Sequence, residues 1–77
     1  MNLSEMRMLF EAGALQQAIL ANAPMGEGFV MLVRRTDGKE EYMTVAKEER
    51  HKVYKSLEAA RADAKRIGFK EVLLQVA

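Results

Sequence analysis

Seventy-seven residues with no cysteine and one histidine exclude a disulfide scaffold and leave no histidine cluster for a metal. The formal net charge is +1, with 12 Lys and Arg against 11 Asp and Glu, so no strong global field is expected. No apolar run approaches the roughly 20 residues that cross a bilayer.

The whole chain, residues 1–77, reads as a single domain. A domain this small buries only about 60–65% of the surface its unfolded chain exposes, so its core is thin. Self-association is the remaining supplement once disulfides and metals are set aside. Met1-Asn2-Leu3-Ser4-Glu5 lacks a basic segment followed by an apolar one, which predicts no secretory leader and a cytoplasmic location. Charge is unevenly spread. Residues 1–49 hold five Lys or Arg against eight Asp or Glu, and residues 50–77 hold seven against three. That imbalance reads either as a solvated helix or as a surface for an acidic partner.

Asn2 and Glu5 have capping-box spacing, and Leu3, Met6, Leu9 and Phe10 share a helical face, which predicts a first helix over 3–12. Gly13 is its stop. Residues 16–23 alternate and predict a strand ended by Pro24, Gly26 and Gly28. Phe29 to Val33 is a continuous apolar run, and Asp37-Gly38 separates it from Tyr42-Met43-Thr44-Val45. Asp-Gly predicts a two-residue hairpin turn with both residues at positive φ. The register that follows sets Arg35 against Glu40, Arg34 against Glu41, Val33 against Tyr42 and Leu32 against Met43.

Ser56 is a candidate N-cap for a second helix whose face holds Leu57, Ala60, Ala64 and Ile67, with Gly68 as its stop. Residues 71–76 alternate as a final strand. For residues 46–55 the spacing allows two readings. One is a helical turn near 47–51 followed by a short extended piece at 52–55. The other is a single helix from Ala46 to Ile67. The order α-β-β-β-α-β predicts an α+β fold, a mainly antiparallel four-stranded sheet with two helices on one face.

Catalytic chemistry finds no foothold. The few hydroxyls fall at caps and turns, and His51 stands among charged neighbours. Glu40-Glu41 and Glu48-Glu49 each split across two faces of their element. Gly26-x-Gly28 lacks the strand-before, helix-after context of a phosphate loop. The expectation is no enzyme, no cofactor and no metal.

Two surfaces remain. The predicted register gathers Phe29, Met31, Val33 and Tyr42 on one apolar sheet face, which suggests a homodimer interface there. A ligand on that face and the segment 46–55 folded over it are the other readings. On the second helix, Arg61, Lys65 and Arg66, flanked by Lys55 and Lys70, form a basic set suited to phosphate contacts. Glu58 and Asp63 partly neutralise it.

Three stretches carry a family resemblance. They are Met1-Asn2-Leu3-Ser4-Glu5-Met6 leading to Phe10-Glu11-Ala12-Gly13, then Ala23 to Phe29, and Tyr54-Lys55-Ser56-Leu57-Glu58-Ala59-Ala60 running to Arg66-Ile67-Gly68-Phe69. Together they resemble small proteins of bacterial plasmids and integrative elements, often labelled replication or partition accessory proteins. The resemblance implies a role in maintaining or transferring a mobile element; DNA or a plasmid-encoded protein is the partner expected of the chain. It brings no catalytic motif and no functional residue. The expected function is therefore a non-enzymatic accessory protein that binds nucleic acid through the second helix. The alternative is a homodimeric adaptor or inhibitor without nucleic-acid contact.

Overall fold

The computed structural model describes residues 1–76. Helix α1 spans Leu3–Glu11, followed by β1 Leu15–Asn22, β2 Phe29–Arg35, β3 Glu40–Tyr42, α2 Leu57–Ile67 and β4 Val72–Gln75. The α+β class and the element order are those read from the sequence. The sheet order is β3-β2-β1-β4, with β2 antiparallel to both β1 and β3. β4 runs parallel to β1, which makes the sheet mixed. α2 supplies the crossover that parallel pairing requires.

Local chemistry places the helices. The Glu5 amide donates to Asn2 Oδ1 and the Asn2 amide to Glu5 Oε1, both at 2.9 Å, closing the capping box. Ser56 Oγ accepts from the Ala59 amide at 3.1 Å at the start of α2. Gly68 ends α2 at φ 134°, and a Cβ there would stand 2.5 Å from the Phe10 ring. Only glycine satisfies both constraints. Beyond it, Phe69 meets Phe10 edge-on, with centroids 5.0 Å apart.

Both helices cover one face of the sheet. Met6 from α1 and Ala60, Ala64 and Ile67 from α2 pack on Ala18, Leu20, Met31, Val33 and Met43. Alanines on α2 let the helix approach the strands closely. A bulge between Leu15 and Gln17 breaks the alternation of β1 and turns Leu15 into the same core.

The hairpin departs from the predicted register by one residue. Leu32 opposes Tyr42, Val33 opposes Glu41 and Arg34 opposes Glu40. Two causes are visible. The Thr36 amide donates to Ala14 O, so pairing with β1 assigns the Arg35 amide, which donates to Lys39 O, to the β3 side. Asp37 Oδ1 also accepts from the Lys39 amide, and the Gly38 amide closes on Arg35 O. The loop therefore has three residues, with Gly38 alone at positive φ and Asp37 at an ordinary one. Opposite charges still meet: Arg34 bonds Glu40 at 3.0 Å, and Arg35 reaches Glu41 diagonally at 3.5 Å.

That shift and the packing of both helices on one face dissolve the predicted dimer face. Met31 and Val33 are wholly buried beneath the helices, and Phe29 packs on the same core. Tyr42 lies opposite Leu32 on the far face, where its ring stacks on His51 at 4.1 Å. The four residues share no surface for a second copy.

Residues 46–50 form turns and bends, and neither the helical turn at 47–51 nor the long helix from Ala46 appears. Lys52–Lys55 is extended as expected through Tyr54, which exchanges both backbone hydrogen bonds with Phe29 at 2.9 and 2.7 Å. Backbone pairing outcompetes helix here because Met43 O and Phe29 would otherwise lack partners.

This segment is pinned to α2 by a buried carboxylate. Asp63 is 2% exposed and accepts from Lys52 Nζ at 2.8 Å, Tyr54 Oη at 2.7 Å and Arg66 Nη1 at 2.6 Å. Burial alone would push the Asp63 carboxyl up. The hydrogen bonds from Lys52, Tyr54 and Arg66 outweigh it and hold the carboxyl below its ordinary range. Burial, then the bond to Asp63, pushes the Tyr54 hydroxyl up.

Two outcomes test this account. Gly38→Val has room but the wrong φ, so it should cost about 1–2 kcal/mol in urea denaturation. Equal stability would remove the positive-φ constraint. The folded pKa of Asp63 lies below its unfolded value, so its contribution is complete above roughly pH 4 and fades as pH falls further. Asp63→Asn should therefore destabilise by about 1–3 kcal/mol at pH 7 and by progressively less as pH falls below roughly 4. A stability gap between wild type and variant that does not narrow with acid would contradict the assignment.

Candidate functional site

The described residues contain no group of three or more His, Cys, Asp or Glu placed to hold a metal ion. Asp63 and Tyr54 are the two groups whose proton affinity is clearly displaced, and each is engaged by the other. A carboxylate with three donors already in place has little capacity left to take a proton from a substrate. His51 is exposed, its ring against Tyr42 rather than beside a nucleophile. The cluster is structural.

The basic set divides. Arg61 and Lys65, one turn apart on α2, meet Lys70 from the α2–β4 connection around a cleft of about 390 Å³. Gly68, Phe69 and Val72 complete its lining. The Gly68 turn and the Phe69–Phe10 contact set Lys70 against the helix. None of the three cations forms an ion pair among the described residues. Arg66 is committed to Asp63 instead. Lys55 precedes the α2 cap and stands beside Glu27, Gly28, Val53 and Tyr54. Of the five basic residues singled out from the sequence, the structure brings three together and separates two.

A feature the sequence reading passed over adjoins this cleft. β4 is a terminal strand of the sheet, and its outer edge has no strand partner among the described residues. Its residues and the one that follows, Val72-Leu73-Leu74-Gln75-Val76, carry no charge. Leu73, Leu74 and Val76 are 38%, 45% and 37% exposed. The opposite edge is closed. There the Thr44 amide donates to Met1 O at 2.8 Å and the Met1 nitrogen donates to Tyr42 O at 3.1 Å, while Glu40 and Glu41 add charge. Natural sheets blunt open edges with charge, proline or cover, and the described residues give β4 none of these.

Glu71 is the nearest carboxylate in sequence to Lys70. With Lys70, Val72 and Leu73 it lines a neighbouring groove that reaches Gln16 and Gln17. The residues that line the cleft itself are cationic, apolar or glycine, and Glu58, one turn before Arg61 on α2, forms no ion pair with them among the described residues.

Comparison with protein-family models, with curated proteins and with solved structures gives no match to this chain.

Proposed function

We propose that this chain is a non-enzymatic interaction module, an adaptor or inhibitor that holds an extended segment of another protein along the open edge of β4. The observation that carries it is the contrast between the two sheet edges. One is covered by Met1 and flanked by Glu40 and Glu41, and the other presents bare backbone and exposed Leu73, Leu74 and Val76. Strand addition supplies affinity through main-chain hydrogen bonds and selectivity through alternate side chains. Such a module suits the accessory role in a plasmid or integrative element that the sequence resemblance implies.

Nucleic acid as the partner has one observation in its favour, the trio Arg61, Lys65 and Lys70, which forms no ion pair among the described residues. Three phosphate contacts limit the salt dependence to a log–log slope of about −3. Net charge near zero and a single stacked ring pair on the far face supply nothing further. In a titration of labelled duplex DNA, the adaptor reading expects no saturable binding at moderate salt. Binding that an Arg61→Glu, Lys65→Glu double variant abolishes would put DNA first.

The adaptor reading is tested by selecting displayed random peptides of about twelve residues on the folded protein. Enriched peptides, once synthesised, should shift the backbone amide resonances of residues 72–75, and a proline at the peptide's centre should abolish the effect. Enrichment of nothing, or shifts confined to other elements, would overturn it.

A further inference from the structure

We infer that the segment taken up along β4 is acidic: an extended stretch of a partner protein with carboxylates at alternate positions. The inference rests on the adaptor reading and adds the chemistry of the occupant.

Charge decides among the candidates. A strand laid against β4 continues the sheet, so its side chains alternate between the helix side and the far side. Those on the helix side enter the space lined by Arg61, Lys65, Lys70 and Val72. The three cations stand there without carboxylate partners among the described residues. Carboxylates at alternate positions of the incoming strand meet them, and the intervening side chains fall beside Leu73 on the far side. Charge-assisted hydrogen bonds to Arg and Lys are stronger than neutral ones, and the cleft's position at the edge leaves the pairs partly shielded.

The same cations argue against a second copy in this place. Antiparallel pairing of β4 with its own equivalent requires a two-fold axis normal to the sheet. That operation keeps both α2 helices on one face and brings Arg61, Lys65 and Lys70 of each copy toward the other's set. Like charges so placed repel. An acidic segment relieves the repulsion that a second copy would create.

The probes are two capped peptides of about eight residues, one alternating Glu and Val, the other alternating Lys and Val. Binding is followed through the backbone amide resonances of the full chain. The Glu–Val peptide should shift residues 72–75 and bind at least about tenfold more tightly than the Lys–Val peptide. Raising the salt concentration should weaken it. Arg61→Glu with Lys65→Glu, both at exposed helix positions, should remove the preference while leaving the spectrum folded. A Glu–Val peptide N-methylated at alternate residues should lose binding, because its edge can no longer pair. Equal binding of both unmodified peptides at β4 would overturn the acidic occupant and leave the adaptor reading standing. Binding of neither, while selected peptides of other composition do bind β4, would overturn only this inference. Failure of every peptide would remove both. Concentration-dependent shifts at residues 72–75 without any peptide would assign the edge to a second copy and overturn the inference.

Discussion

Asp63 keeps its negative charge inside a domain of 77 residues, and three donors from different parts of the chain make that tolerable. Removing a carboxylate from water costs several kcal/mol unless hydrogen bonds replace its hydration. Lys52 and Tyr54 arrive from the segment after β3, and Arg66 arrives from one turn further along α2. The bond network therefore dictates how residues 51–54 lie. Tyr54 must reach inward, its backbone then pairs with Phe29, and the beginning of β2 acquires a neighbour. A helix through residues 46–55 would leave Phe29 and Met43 without those partners. Arg66 is engaged by the same requirement, which leaves Arg61 and Lys65 as the cations of α2 without an ion pair among the described residues.

Where interactions are local, the sequence was readable. The Asn2–Glu5 box, the Ser56 cap and the Gly13 and Gly68 stops each depend on residues within one or two turns, and all are found. The hairpin shows the limit. Asp37-Gly38 correctly marks the turn, yet turn chemistry admits two or three loop residues. The choice is made by the bond from the Thr36 amide to Ala14, contributed by a strand 22 positions earlier. Because side chains alternate, that single step carried Tyr42 from one face to the other, while Met31 and Val33 were lost to a dimer surface by the helices packed over them. Asp63 was read as a partial neutraliser of a basic helix face, since nothing in helical periodicity distinguishes a solvated acid from one met by Lys52 and Tyr54.

The candidate site was legible as a composition and not as a place. Arg61 and Lys65 follow from helical spacing, but Lys70 joins them only through the Gly68 turn and the packing of Phe69 on Phe10. The open edge of β4 is a property of sheet order. Parallel pairing with β1 makes β4 terminal, and parallel pairing is available only because α2 crosses over the sheet. No pattern within residues 72–76 announces which strand of four will be left unpaired.

Stability and binding draw on opposite ends of this sheet. The β3 edge is short, charged and tied to Met1, so its backbone groups and side chains are spent on the fold itself. β4 contributes Val72 to the core but leaves Leu73, Leu74 and Val76 exposed, which adds little to a monomer already limited in buried area. An added strand would bury those side chains and satisfy the outer backbone groups together. Its gain in free energy would come from apolar area at about 25 cal/mol per Å², with the cations selecting which strand is accepted. Affinity and selectivity thus reside on different atoms of one edge, and a change in the cations should alter the choice of partner more than the strength of strand pairing.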